Sequence, residues 1–460
     1  QVLASSAKNL ILFDNGLVLS FSTIVIAALL NSGGRISFTN EQASWFASIT
    51  YLCQPVGSVM AGVLMEPLGR KKSMLALNLP FLAAWLLLHF APNVISMYIG
   101  GAIMGLAVGC TEAPILTYVG EISEPRLRGV MTSYAQLFGA LAYVALYALG
   151  SLLDWRTTAL VCAAVPIVTF IAITQVPETP VWLLSKGRLE DAEKALCWLR
   201  GWVRPEAVRK ELEELIEHHT HNGPALANNA TPTLNSSGSL NEHSSFADKL
   251  VYLTKPAMRK PLGIIIGYFF FFYASGFSCV RPYMVPVFKK LQITMDPYHA
   301  TVVISVLGLV GNAVCMCSVH YCGKRVLSLI SFAFSGLSTL GLALVALNRT
   351  LPSTWALPMF LSLSFFNGLG AAPIPWMLQS ELFPFRGRSL GSSVAAAISY
   401  LIGFVATKTF LNLEEVATLE GVFFIYTGLS FLAVLFVWVS LPETEGRSLH
   451  EIEAYFVKKS

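Results

Sequence analysis

Two charged side chains lie inside long apolar runs: Glu112 in the stretch 96–120, and Arg281 in the stretch 261–287, within Ser-Cys-Val-Arg-Pro-Tyr. In hydrocarbon each costs about 2.5–3.5 kcal/mol or more, so each must meet a partner, a cavity or the membrane surface. A third place with chemistry is residues 367–388, Asn-Gly-Leu-Gly-Ala-Ala-Pro-Ile-Pro-Trp-Met-Leu-Gln-Ser-Glu-Leu-Phe-Pro-Phe-Arg-Gly-Arg. Pro373 and Pro375 remove two backbone donors, and Gly368 and Gly370 loosen the same turn. Such a break is tolerated only against other helices or a water-filled cavity. Trp376 stands beside it, and Glu381, Arg386 and Arg388 close the segment. The stretch reads as a cavity-lining membrane element, with a kinked packing helix as the plainer alternative.

The elements that must hold these groups follow from composition. Of 460 residues, 54% are hydrophobic and 13% charged, and the mean hydropathy is +0.61. Soluble chains carry about a quarter charged residues, so the solvent expected here is a lipid bilayer. Apolar segments fall at 10–30, 43–65, 73–91, 96–120, 130–152 and 157–176. They resume at 261–287, 299–319, 326–347, 355–382, 389–411 and 421–441. The first is long enough to span, which argues against a cleaved signal peptide. Lys and Arg crowd into one set of alternate loops, with Arg70, Lys71, Lys72, Arg126, Arg128, Lys324, Arg325, Arg386 and Arg388. That side is predicted to be cytoplasmic, with both termini inside. In such a chain the net charge of +4 implies no nucleic-acid partner. The eight cysteines are scattered without metal-ligand spacing, so neither a metal nor a cofactor is expected. No nucleotide loop or catalytic triad is visible, and an enzyme is not expected.

The chain divides into a first membrane half (1–176), a polar region (177–260), a second membrane half (261–441) and a tail (442–460). Residues 188–219 have the spacing of short amphipathic helices broken near Pro205, and 222–246 reads as linker. The halves echo each other. Glu-Pro-Leu-Gly-Arg-Lys-Lys at 66–72 matches His-Tyr-Cys-Gly-Lys-Arg at 320–325. Glu121 with Arg128-Gly129 matches Glu381 with Arg388, and Pro177-Glu178-Thr179 matches Pro442-Glu443-Thr444. Three echoes about 260 residues apart, in one order, predict an all-α membrane protein of twelve helices in two parallel six-helix repeats.

These motifs resemble the sugar porter branch of the major facilitator superfamily, the group of glucose and insect trehalose transporters. The resemblance rests on Gly-Arg-Lys-Lys at 69–72, Tyr-Val-Gly-Glu at 118–121 and Pro-Glu-Thr-Pro-Val-Trp-Leu-Leu at 177–184. To these add Pro-Ile-Pro-Trp at 373–376 with Glu381-Leu382-Phe383, and Pro-Glu-Thr-Glu-Gly-Arg-Ser-Leu at 442–449. It implies alternating access to a central site between the halves, with amide, hydroxyl and aromatic groups around a sugar ring. Gln136 and Trp376 stand at the family's positions in helices 5 and 10. Asn367, Ser278 and Tyr283 are further candidates, and Gln136 and Asn367 have the alternative of bonding between helices. Helix 7 departs from the hexose pattern: Phe272 and Tyr273 stand for two glutamines, and Ser278 for an asparagine. In helix 11 Ser399-Tyr400 stands for Asn-Trp. Ser22 and Gly101 stand where proton-coupled members have an aspartate and an arginine.

In that fold helices 4 and 7 line the cavity from opposite halves. Glu112 and Arg281 are therefore expected to pair across it or to meet a charged substrate, unless Arg281 snorkels outward. Lys408, near the outer end of helix 11, is expected to snorkel. Glu66, Arg70, Glu121, Arg128 and Glu178 in the first half, and Arg325, Glu381, Arg388 and Glu443 in the second, form symmetric charge sets. By resemblance they tie the inner helix ends together when the protein opens outward. The expected function is facilitative transport of a hexose or trehalose-like solute across the plasma membrane by a monomer. The alternatives are a proton- or ion-coupled carrier of a charged organic solute and a non-transporting sugar sensor. Asn348-Arg349-Thr350 is a glycosylation sequon in a predicted outer loop, whereas Asn229 and Asn235 begin sequons in the inner one.

Overall fold

The structure, a computed structural model, describes residues 1–34, 36–122, 128–222, 256–347, 351–383 and 388–445. Among these residues the only extended pairing is one isolated bridge between Leu30 and Phe38. The first half contains the spans Val2–Leu29, Asn40–Leu68, Arg70–His89, Val94–Ile122 and Arg128–Leu152. A sixth follows in two pieces, Trp155–Cys162 and Ala164–Thr174. At about 1.5 Å rise per residue, 20 residues cross a hydrocarbon layer of about 30 Å.

The second half repeats the plan with more breaks. Its first span, the seventh of the chain, bends by 51° between Met258–Ala274 and Phe277–Lys290. Gly276 makes the bend, with φ 92 in the left-handed region. A Cβ there would stand 2.3 Å from the Tyr426 ring. The eighth and ninth spans are Pro297–Cys322 and Lys324–Ala346, and the tenth runs from Ser353 to Glu381. Arg388–Ser440 is 53 residues long, about 80 Å if straight, too long for one crossing. It breaks at Thr418 (φ 61, ψ 168) into the eleventh and twelfth spans. Counted this way the described helices make twelve spans, the all-α major facilitator arrangement.

The tenth span shows how a broken membrane helix is satisfied. Asn367–Ala371 form a wide π turn in which the Ala372 N–H donates to the Asn367 carbonyl at 3.0 Å. Ser331 of the ninth span serves the freed groups, donating to the Phe366 carbonyl at 2.5 Å and accepting from the Ala371 N–H at 2.9 Å. A Cβ on Gly368 would stand 2.5 Å from the Gly308 carbonyl, and one on Gly370 would stand 2.8 Å from that of Leu327. The π turn is thus packed against neighbouring helices and its five residues are buried, while Trp376, beyond it, is partly exposed. The polar region contains Pro180–Ser185, Leu189–Leu199 and Pro205–Asn222, closed on Trp182, Leu183, Leu196 and Val208. Pro205 opens its third helix, where a missing N–H costs nothing.

The repeat is also physical. The Glu178 carboxylate accepts the Lys71 N–H at 3.0 and 3.1 Å, capping the third span. The Glu443 carboxylate accepts the N–H groups of Lys324 and Arg325 at 3.1 and 3.0 Å, capping the ninth. Each cap passes over a glycine at positive φ, Gly69 (86) and Gly323 (80). In both, a Cβ would stand 2.5 Å from the glutamate Oε2.

Candidate functional site

The halves meet along the spans that the twofold plan sets face to face: first against seventh, second against eleventh, fifth against eighth. Near one end of this seam the Thr23 hydroxyl donates to the Arg281 carbonyl at 3.0 Å. Asn40 donates to Glu415 at 2.9 Å, and Lys408 to Ser44 at 2.8 Å. Lys408 also lies 4.8 Å from the Trp45 ring centroid, so it bridges the halves instead of snorkelling. Tyr51 meets Tyr273 edge-on at 6.1 Å. One further bond lies deeper: the Tyr400 hydroxyl donates to Glu112. Glu112 is ten residues before the end of its helix, about 15 Å along its axis.

The Glu112–Arg281 pair expected from sequence is not formed. Glu112 accepts from Tyr400 and, at 3.4 Å, from Ser58. The Arg281 guanidinium lies 4.4 Å from the Tyr143 ring centroid and 5.1 Å from that of Phe277. Tyr143 belongs to the first half and Phe277 to the second, so this cation–π contact also crosses between the halves. Arg281 is partly buried, and among the described residues no carboxylate pairs with it. Both charged side chains find partners in the other half. Their partners are aromatic rings and a phenol, which spacing cannot reveal.

The other candidates differ in what they leave free. Asn367 is buried and its Nδ2 has no partner among the described residues, and the buried Ser278 hydroxyl has none among them either. Gln136 is partly buried on the fifth span. Trp376 lies 6.2 Å from Tyr400 and 5.0 Å from Phe269, ring to ring. Tyr283 is fully buried, stacks on Phe410 at 4.9 Å and donates to the Thr407 carbonyl at 3.1 Å. Its polar end is taken up by packing between the seventh and eleventh spans. The Ser399 hydroxyl bonds back to the Ala396 carbonyl at 2.8 Å within its own helix. Ser22 and Gly101 line one cavity of about 10 Å³ with Thr50 and Tyr51, room for about one water.

The charges of the symmetric sets pair within halves. Arg70 bonds Glu121 at 2.7 Å. Its counterpart in the second half is Lys324, which bonds Glu381 at 3.1 Å and also Glu445. The sequence reading assigned this place to Arg325. That side chain instead donates to the Trp438 carbonyl at 2.5 Å and lies 5.5 Å from the Trp438 ring centroid. His320 completes the set at 2.7 Å from Glu445. Burial raises the Glu445 carboxyl, but Lys324 and then His320 outweigh it and hold the group below the usual carboxylate range. Burial pushes the Glu178 carboxyl up, against the N–H groups that it caps. The side chains of Glu66, Arg128 and Arg388, and the residue Asn348, lie outside the described residues.

Sequence reasoning also passed over Asp14 and Gln54. Asp14 is buried and accepts from the Trp85 indole N–H at 3.0 Å, tying the first span to the third. Gln54 is buried, with neither amide atom partnered among the described residues. A carboxylate and an amide inside apolar runs were the available signal for both.

This two-half frame can be compared with known proteins. Residues 2–456 match the family described as sugar (and other) transporter. The chain belongs to that family. It is 29% identical over 462 residues to a facilitated trehalose transporter of Apis mellifera ligustica, covering 99% of this chain and 88% of that one. It is 31% identical over 464 residues to one of Anopheles gambiae, covering 98% of this chain and 55% of the relative. The chain therefore spans about half the length of some relatives. Among solved structures it resembles the E. coli xylose transporter XylE in an inward open conformation, with TM-score 0.76 and 18% identity over 99% of this chain and 98% of that one. The proton:xylose symporter XylE bound to 6-bromo-6-deoxy-D-glucose gives 0.73 at 20% identity, covering 98% and 99%. The family is one of multi-pass membrane carriers and not of enzymes.

Proposed function

We propose that this chain is a passive carrier of a hexose or a trehalose-like sugar, working by alternating access in the plasma membrane as a monomer with both termini inside. The trehalose relatives support the substrate class. The observation that carries the passive reading is the cavity lined by Ser22 and Gly101. These are the positions where the family resemblance puts the aspartate and the arginine of proton-coupled members. Here they hold a hydroxymethyl group and a hydrogen, with space for about one water. Gln136, Asn367 and Ser278 offer amide and hydroxyl groups for ring hydroxyls, and Trp376 offers a face for the ring's C–H side.

Uptake of labelled glucose, trehalose and small organic ions into liposomes containing the purified protein, at two pH values, tests this. Sugar uptake should run downhill, be equal at both pH values and survive a protonophore. Uptake that acidifies the lumen in step with sugar would refute it. One observation favours a second reading: Arg281 lies among aromatic rings with no carboxylate partner among the described residues, a place suited to an organic anion. In that case anions in the panel move, and Arg281→Met abolishes their uptake.

A further inference from the structure

Glu112 and Tyr400 stand on opposite halves, on the fourth and eleventh spans, and are joined by one hydrogen bond. Among the described residues Glu112 has no cationic partner, and its other contact, Ser58, is long at 3.4 Å. An ionised carboxylate offers about four acceptor positions, so most of its capacity is unused. The Trp376 ring lies 6.2 Å from the Tyr400 ring, which puts an aromatic face beside the carboxylate–phenol pair.

We propose that Tyr400 holds the Glu112 carboxylate in place of a cargo hydroxyl, so that cargo binding and release of this bond between the halves are one event. The proposal rests on the sugar reading above and adds the group that chooses the cargo. A phenol O–H and a sugar O–H are donors of the same kind. A vicinal diol brings two of them to one carboxylate, against the single one of Tyr400. The favoured cargo is then a neutral polyol with adjacent hydroxyls. Charged anions are repelled by Glu112, and deoxy analogues lacking one of the pair lose to Tyr400. When the diol takes the carboxylate, the fourth and eleventh spans lose their bond and the halves can rock apart. Binding energy is thereby turned into a conformational step, as differential contact with two states requires.

The experiment measures equilibrium exchange and net efflux of the best-transported sugar in liposomes, with variant proteins matched by amount and by monodisperse elution. Glu112→Gln should raise the half-saturating sugar concentration at least tenfold, and Glu112→Asp should recover part of the loss. Tyr400→Phe keeps the ring beside Trp376 and removes the competing donor. It should lower the half-saturating concentration about threefold and speed the return of the empty carrier. In the Glu112→Gln background, Tyr400→Phe should change nothing further. A series of monodeoxy sugars should show two adjacent positions whose loss matters in the wild type and not in Glu112→Gln. If Glu112→Gln does not reconstitute, Tyr400→Phe and the deoxy series carry the test.

Tyr400→Phe weakening binding as Glu112→Gln does would mean that Tyr400 contacts cargo directly, and the placeholder idea fails. It also fails if Glu112→Gln leaves half-saturation unchanged, or if its effect is to abolish a sugar-linked proton current. A wild type that moves only anions, or no sugar at all, refutes the sugar reading itself and this inference with it.

Discussion

The paired caps at Glu178 and Glu443 give a prediction whose size follows from geometry. Glu178 accepts the backbone N–H groups of Lys71 and of Thr179, the latter at 3.0 Å. Each charge-assisted bond is worth about 1.5–3 kcal/mol, and water at this half-buried site recovers part of it. Glu178→Ala should therefore cost about 2–3 kcal/mol. Gly69 has φ 86 and ψ 172, a region open essentially to glycine, which for another residue costs about 1–3 kcal/mol. An alanine there also forces the carboxylate away, because its Cβ would stand 2.5 Å from Oε2. Gly69→Ala should cost about 3–4 kcal/mol in all, partly by breaking the same cap. In the double variant the cap is lost once instead of twice. Its cost should fall short of the sum by at least about 1 kcal/mol, whereas independent sites add to within about 0.5 kcal/mol. Unfolding in mixed micelles with a rising fraction of denaturing detergent measures all four proteins. Gly323→Ala and Glu443→Ala should reproduce the pattern in the second half. Additive costs in both halves would mean that the glycines are not there to let the carboxylates in.

Arg281→Met keeps the reach of the side chain and removes the cation over Tyr143. A desolvated cation–π contact is worth about 2 kcal/mol, so closure of the halves at Tyr143 should weaken by roughly thirtyfold. Spin labels at Asn93→Cys and Thr354→Cys, in a background without exposed cysteines, should then report a larger share of long distances; an unchanged distribution would refute the clamp. Glu445 is held below the usual carboxylate range, so its contribution is present at neutral pH and is lost as pH falls through that lowered value. Lys324→Met should move this acid limb of the stability curve to higher pH, and a limb that stays put would refute the assignment. Asn348 should carry a glycan and Asn229 and Asn235 none in protein from a glycosylating host; the opposite pattern on mass spectrometry reverses the orientation.

The sequence by itself determined the architecture. Twelve apolar runs, a polar gap after the sixth and three ordered echoes specify two halves, because backbone in lipid must be helical and a span has a fixed length. It also located the 367–376 stretch as a break, since proline and glycine act locally; the 51° bend at Gly276 came only from the structure. Which atoms meet across the halves was decided only by tertiary structure. Glu112 and Arg281 read alike from the chain, two charges in apolar runs, yet one meets a phenol and the other lies over aromatic rings. Lys324 and Arg325 are adjacent in sequence, and helical rotation of about 100° sends one to Glu381 and the other to the Trp438 carbonyl. Tyr283, expected to line the site, has its hydroxyl bonded to a backbone carbonyl. A pattern fixes which residues share a helix face; what that face meets depends on the packing of elements hundreds of residues apart.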